Sequence, residues 1–200
     1  MLTNIQIEEL AKRMSLPLVF VGFKDEIPSK LKVNKSYIIN LQDEYDEDGK
    51  QNGGTHWTAL QIQELKNGKI QPFYFDSYGA EPPENIKQLV KKQFKMYLPF
   101  STKDVQSLMG EVCGYYCLAW LFFINNFEKR SDDIYADSDA FLSLFEDLKT
   151  SIDFKKNEYF LKMFFQPKNK EDRREIDVIQ DTNIITEGNV ERLNVNINYK

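Results

Sequence analysis

The spacing of apolar residues divides the chain into helices and strands. At the N-terminus, Thr3 and Gln6 have the spacing of a capping box. The apolar residues around and after this pair recur at helical spacing: Ile7, Leu10, Ala11 and Met14. The pattern predicts a short helix that ends near Pro17.

Four extended segments follow the first helix. Residues 18–23 (LVFVGF) and 37–41 (YIINL) are apolar runs of strand length. Residues 56–65 and 69–76 are two further predicted strands, and Asn67-Gly68 lies between them. Because Asn-Gly is the strongest short hairpin signal, we expect the last two strands to pair with each other.

Helical spacing returns in the second half of the chain. Pro82 and Pro83 open a helix with an apolar face. That face consists of Ile86, Leu89, Val90, Phe94 and Tyr97. We expect a short strand at 102–106. The segment Cys113–Asn126 (CGYYCLAWLFFINN) is apolar on all sides, and a helix of this kind belongs in the middle of a domain.

Two more helices and a change of composition complete the pattern. We expect helices at 138–149 and 155–165, and the first has an apolar face of Phe141, Leu144, Phe145 and Leu148. The whole set predicts an α+β domain at 1–167, with a mixed central β-sheet flanked by helices. A polar tail follows at 168–200 and ends in a strictly alternating segment, 193–199. Three roles stay open for the tail: a disordered end, a strand added to a sheet edge, or a docking or self-processing segment.

Composition and charge exclude several classes of protein. The 200 residues include one histidine and two cysteines, too few for a zinc site of several Cys and His ligands or for a disulfide scaffold. The acidic segment 43–54 lacks EF-hand spacing, so we expect no metal and no cofactor. A net charge of −5 argues against binding to a nucleic-acid backbone. The N-terminus lacks a signal-peptide core and the longest apolar run, 115–124, is too short for a bilayer, so we expect a soluble protein of a reducing compartment without membrane contact.

One constellation of side chains fits a single reaction. Cys113 starts the apolar helix, where the helix dipole favours a thiolate, and Gly114 beside it would let a substrate backbone approach closely. His56 can take a thiol proton and return it to a leaving amine, and Asp76 can hold the imidazole tautomer. Gln106 can donate to an oxyanion together with the backbone N–H of Cys113.

Each of these residues also has a plainer interpretation. A free cysteine is usually a small buried apolar side chain, and an aspartate in Asp-Ser-Tyr-Gly is often a turn cap. Cys117 lies one helical turn deeper than Cys113 and lacks a following glycine, so we assign it to packing. A disulfide between the two is disfavoured, because neighbouring side chains on a helix diverge from the required geometry.

Three segments, in the order GGTHW, FYFDSYG and VQSLMGEVCGYYC, resemble the adenovirus maturation protease (adenain) and its relatives, within the wider clan of SUMO and ubiquitin-like-protein proteases. The seven-residue step from Gln106 to Cys113 is similar to the adenoviral branch. The SUMO protease branch usually has a shorter step and an Asp where this chain has Val112. The resemblance covers roughly residues 1–126.

The resemblance implies a papain-like/adenain-like cysteine proteinase fold with the nucleophile at the N-terminus of the buried central helix. It implies a catalytic set of Cys113 as nucleophile, His56 as base, Asp76 as orienting acid and Gln106 as oxyanion donor. Trp57 stands where the family keeps an aromatic side chain near the imidazole, so we expect Trp57 and Gly114 to contact substrate.

The resemblance further implies a cysteine endopeptidase that cleaves viral capsid or core precursors after glycine or another small residue, in the virion and the infected host cell. The Lys- and Asn-rich composition suits a virophage or a large DNA virus. Two alternatives stay open: an isopeptidase that removes SUMO or ubiquitin from host proteins, and a non-catalytic interaction protein on a protease fold.

Two departures from the adenoviral pattern affect the expected partners. Adenoviral enzymes carry a further cysteine that forms a disulfide with an activating peptide, and this chain has no cysteine around Lys95, where it would lie. We therefore expect any peptide activator to bind noncovalently. The acidic net charge makes DNA binding doubtful.

The hairpin provides a geometric test of the catalytic hypothesis. With a two-residue turn, Asp76 pairs with Ala59, and because strand faces alternate, His56 and Asp76 then point to opposite sides. The hypothesis therefore needs a change of parity. We predict a three-residue turn with Gly68 left-handed, or a bulge near Pro72, between the two residues.

Overall fold

The computed structural model describes residues 1–107, 110–126, 131–150 and 152–165. The predicted tail at 168–200, its alternating segment at 193–199 and the boundary after Pro167 lie outside these residues. The elements within the described ranges are, in chain order, α1 (Asn4–Arg13), β1 (Leu18–Phe23), β2 (Lys35–Asn40), β3 (Trp57–Glu64), β4 (Ile70–Phe75), α2 (Glu84–Phe94), α3 (Cys113–Asn126), α4 (Ile134–Leu142) and α5 (Asp153–Phe164).

The four strands form one mixed sheet in the order β1-β2-β3-β4. β1 pairs with β2 in parallel, and β2 with β3 and β3 with β4 are antiparallel. Helices contact both faces of this sheet. The predicted α+β class with a mixed sheet flanked by helices is confirmed.

Alternation along the strands produces two cores, one on each face of the sheet. On one face, α3 packs against Ala59 and Phe75, with α1, α4 and α5 around it. On the other face, Ile86 and Val90 of α2 cover Leu60 and the rest of a second apolar cluster. The prediction that Cys113–Asn126 is a buried central helix is confirmed, and Trp120 in its middle is fully buried.

The turn between β3 and β4 is the predicted three-residue turn. The Leu65 N–H donates to the Lys69 carbonyl (2.9 Å), which leaves residues 66–68 as the loop. Gly68 has a φ of 79°, in the left-handed region that glycine adopts without steric cost.

This odd loop length sets the register of the hairpin. Ala59 pairs with Phe75, and the pairing runs without interruption past Pro72, so there is no bulge there. Position 76 consequently lies opposite position 58 rather than 59. Because positions 56 and 58 share a strand face, His56 and Asp76 point to the same side, and the predicted change of parity is confirmed.

The N-terminal helix is confirmed, including its capping box. The Gln6 N–H donates to Thr3 Oγ1 and the Thr3 N–H donates to Gln6 Oε1. The prediction for α2 was wrong at its end. The helix stops at Phe94 because Lys95 adopts a left-handed conformation (φ 59°), and Tyr97, expected on the buried face, is 83% exposed.

Two further boundaries differ from the predictions. No strand forms at 102–106 in the described residues, because the N–H groups of Val105 and Gln106 both donate to the Ser77 carbonyl instead of to a strand. The helix predicted at 138–149 is α4, which starts earlier because Asp133 accepts the Tyr135 N–H and caps it. The prediction was wrong at the other end, since α4 ends at Leu142 and residues 143–149 are not helical. The helix predicted at 155–165 is confirmed as α5 within two residues at each end.

None of the helices in the described ranges is long and apolar enough to cross a membrane.

Candidate active site

The one histidine and a buried aspartate meet at the ends of neighbouring strands. His56 immediately precedes β3, and Asp76 immediately follows β4. His56 Nε2 lies 2.8 Å from Asp76 Oδ1, and both side chains are buried. The same oxygen accepts the Tyr78 N–H at 2.8 Å, so Asp76 caps its turn and bonds the imidazole with one atom.

A serine from a distant segment fixes the backbone of Asp76. Ser101 Oγ accepts the Asp76 N–H and donates to the Asp76 carbonyl, each at 3.0 Å. These two hydrogen bonds hold the backbone of Asp76 in place, and both come from a residue outside the β3–β4 hairpin. Asp76 Oδ2 is buried and has no hydrogen-bond partner among the described residues.

The thiol of Cys113 lies at the first residue of α3 and against the mouth of β3. Cys113 Sγ accepts the Trp57 N–H at 3.4 Å, and the residue is 2% exposed. The Val112 carbonyl accepts the N–H groups of Tyr115 and Tyr116, so the helix itself leaves the Cys113 N–H unused. The thiol and an N–H without a partner among the described residues thus lie together at the positive end of the helix.

The environment of His56 favours its protonated form. Burial alone would lower the pKa of the imidazole, but the hydrogen bond that the ring donates to Asp76, together with the nearby Cys113, outweighs it, and the pKa rises to about 9. His56 Nδ1, the other ring nitrogen, makes no hydrogen bond of ordinary geometry to a described residue. The ring therefore has one nitrogen fixed by Asp76 and one available for chemistry at the thiol.

Gln106 contacts the site through its hydrogen bonds to Ser77 and Tyr78, which lie in the turn that follows β4. It is fully buried, and its Oε1 accepts the Ser77 hydroxyl at 2.8 Å. Its Nε2 donates to the Gly110 carbonyl at 2.7 Å and to Tyr78 Oη at 3.2 Å. An amide nitrogen has two hydrogens, so both are engaged within the protein.

Tyr78 is a site residue that the sequence reasoning missed. Its ring stacks on the His56 imidazole with centroids 4.2 Å apart and planes at 17°. Burial, then the nearby Cys113 and Asp76, raise the pKa of Tyr78 to about 12. The available signal was the Asp-Ser-Tyr-Gly turn, which predicted a cap but not that the turn brings the tyrosine back over the imidazole. Ser101 had no such signal.

The structure gives Trp57 and Gly114 positions inside the protein. The Trp57 indole is 5% exposed and donates to the Leu2 carbonyl at 2.9 Å, so it packs in the core instead of lining an open groove. The side of Gly114 that lacks a Cβ faces Leu2 and Ile7, at 3.2 and 3.4 Å. This packing accounts for a glycine at position 114 without a substrate.

Cys117 lies deeper in the same helix. It is fully buried and its thiol donates to the Trp57 carbonyl at 3.3 Å, and neither cysteine forms a disulfide. The assignment of Cys117 to packing is confirmed. Burial raises the pKa of Cys117 well above its usual value, so this thiol stays protonated.

The structure thus brings His56, Asp76, Gln106 and Cys113 into one connected cluster, with Tyr78 at its centre. In the described part of the chain, no group of three or more His, Cys, Asp or Glu side chains could hold a metal ion. No protein-family model matches the sequence, and no curated protein matches it.

Proposed function

We propose that this protein is a cysteine peptidase with a papain-like/adenain-like fold. The observation that carries the proposal is the placement of the one histidine. Its Nε2 is bonded to buried Asp76 at 2.8 Å, and the backbone N–H of the next residue, Trp57, donates to Cys113 Sγ at 3.4 Å. A thiol, an imidazole and a carboxylate in this order form the arrangement needed for nucleophilic catalysis.

The proposed reaction has two halves, the formation of a thioester with Cys113 and its hydrolysis, and Cys113 and His56 act in both. The Cys113 thiolate attacks a peptide carbonyl and forms a C–S bond, while the carbonyl oxygen becomes an oxyanion held in part by the Cys113 N–H. When the oxyanion collapses and the C–N bond breaks, His56 gives its proton to the leaving amine. His56 then accepts a proton from water, which hydrolyses the thioester and restores the thiolate.

The substrate and setting are inferred from the resemblance of the three site segments to the adenain-type enzymes. On this basis the substrate is a viral capsid or core precursor, cleaved after glycine or another small residue. The place of action is the virion or the infected host cell. A peptide activator, if the protein uses one, binds without a disulfide, because Cys113 is the proposed nucleophile and Cys117 is fully buried with its thiol bonded to the Trp57 carbonyl.

A labelling comparison tests whether Cys113 is an activated thiol. An unperturbed cysteine is only about 0.3% thiolate at about pH 6. We expect iodoacetamide to label wild-type protein at this pH far faster than it labels free cysteine, and Cys117→Ala to label like wild type. Cys113→Ala and His56→Ala should lose the fast phase while keeping the circular dichroism of the folded protein. Equal labelling of wild type and Cys113→Ala would support a non-catalytic protein on this fold.

A substrate comparison separates the two peptidase alternatives. The protein is incubated with a capsid precursor of its own virus and, in parallel, with a ubiquitin-like protein fused to a reporter at its C-terminal glycine. Cleavage of the precursor, lost in Cys113→Ala, supports the maturation peptidase. Cleavage of the fusion alone supports an isopeptidase.

A further inference from the structure

The oxyanion donor expected at Gln106 has no amide hydrogen to spare. One hydrogen of Nε2 goes to the Gly110 carbonyl at 2.7 Å, and the other goes to Tyr78 Oη at 3.2 Å. Its Oε1 is held by the Ser77 hydroxyl, which fixes the amide in this orientation. A direct bond from Gln106 to an oxyanion would therefore require one of these two bonds to break.

The hydroxyl of Tyr78 is in the opposite situation. It accepts the Gln106 amide, and its own hydrogen has no acceptor among residues of the described ranges. A phenol carries both an acceptor and a donor, so the hydrogen is available to a bound group. The ring is fixed over the imidazole at 4.2 Å. Burial, and to a lesser degree the nearby Cys113 and Asp76, raise the pKa of the phenol to about 12. At neutral pH the hydroxyl therefore keeps its proton.

We propose that the Tyr78 hydroxyl is an oxyanion donor of this site and that Gln106 acts through it. In this arrangement the Gln106 N–H donates to Tyr78 Oη, and the Tyr78 O–H donates to the oxyanion beside Cys113. No proton is transferred in the chain; each hydrogen bond strengthens the next. The inference rests on the proposed peptidase function and names a further catalytic residue for it.

The competing arrangement makes an opposite prediction for one variant. If Gln106 donates directly to the oxyanion, the bond to Tyr78 only occupies its hydrogen in the free protein. Tyr78→Phe would then release that hydrogen, and hydrolysis would be unchanged or faster. If Tyr78 is the donor, the same variant removes the hydrogen that the oxyanion needs and keeps the aromatic ring over His56.

The experiment measures three properties of Tyr78→Phe against wild type, with Tyr97→Phe as a matched control that removes a hydroxyl from an 83% exposed ring. Peptide hydrolysis forms an oxyanion and depends on the donor. The affinity for a peptide aldehyde ending in glycinal reports the same donor, because the aldehyde forms a tetrahedral adduct with the thiol. Alkylation by iodoacetamide displaces iodide without an oxyanion and reports only the thiol–imidazole pair.

We expect Tyr78→Phe to lose about 100-fold in kcat, with KM nearly unchanged, since one oxyanion donor contributes about that much. Aldehyde affinity should fall with kcat, while the alkylation rate and Tyr97→Phe stay at wild-type values. Gln106→Ala should add little to the loss in Tyr78→Phe, because the two residues act in series. Unchanged hydrolysis by Tyr78→Phe, or alkylation falling in step with hydrolysis, would overturn the inference. Wild-type protein that neither hydrolyses peptides nor binds the aldehyde would instead overturn the proposed function and the inference together.

Discussion

Folding stability should depend on the protonation of the one histidine. The pKa of His56 is about 9 in the folded protein, against 6.5 for an unperturbed imidazole. A group whose pKa is raised on folding stabilises the protein fully below its unfolded pKa and loses that contribution as the pH rises through the folded value. For His56, which is 8% exposed, the difference corresponds to about 3 kcal/mol, lost between about pH 6.5 and pH 9.

Urea unfolding of wild type and His56→Gln isolates this contribution. Glutamine can still donate a hydrogen bond to Asp76, but it does not titrate. Between about pH 6 and about pH 10, the free energy of unfolding of wild type should fall by about 3 kcal/mol more than that of His56→Gln. Groups that do not interact with His56 titrate alike in both proteins, so their effect cancels in the difference. The Cys113 thiol is coupled to the imidazole, so its share belongs to the contribution that is measured.

An NMR titration tests the same number directly. Because the chain has one histidine, its imidazole resonances need no further assignment. Asp76→Asn should lower the pKa of His56, and Cys113→Ala should lower it by less, since the bond to Asp76 is the larger of the two stabilising effects. A wild-type pKa at or below 6.5, or equal pH dependence of the two unfolding curves, would refute the reasoning.

Three further outcomes follow from the fold and the site. Gly68→Val should lower the free energy of unfolding in urea by about 1–2 kcal/mol because of the φ of 79°, whereas Gly68→Asn should be tolerated; equal losses would contradict this. Asn157→Leu should cost about 3 kcal/mol in thermal unfolding, because the buried amide bonds the Val105 carbonyl and both backbone groups of Glu146. The alkaline limb of kcat/KM should fall near pH 9, where His56 loses its proton, and a limb near pH 6.5 would contradict the assignment.

The elements predicted best are those whose local sequence decides the outcome alone. α3 is apolar on every face, so no alternative orientation competes, and its bounds match the structure. α1 is fixed by the reciprocal bonds of Thr3 and Gln6. Asn-Gly by itself predicts a hairpin but not the length of its loop. The three-residue loop was predicted because catalysis requires His56 and Asp76 on the same face of the sheet.

The parts predicted less well depend on contacts that are distant in sequence. α2 ends because Lys95 adopts a left-handed conformation, which cannot be predicted from a lysine at this position. The stacking of Tyr78 and the double engagement of the Gln106 amide arise from how two loops meet, which no local pattern encodes. Trp57 was expected beside the substrate by resemblance, yet strand alternation places its side chain on the sheet face opposite to that of its neighbour His56.

Because of the three-residue loop between β3 and β4, the geometry of the site depends on the number of residues in that loop as well as on the identity of the site residues. Loop residues 66–68 are exposed, and such loops usually tolerate changes of length. Here, one residue more or fewer would invert β4, exchange its two buried faces and turn Asp76 away from His56, although no site residue had changed. Among relatives, we expect the composition of this loop to vary freely at its first two positions while its length stays fixed.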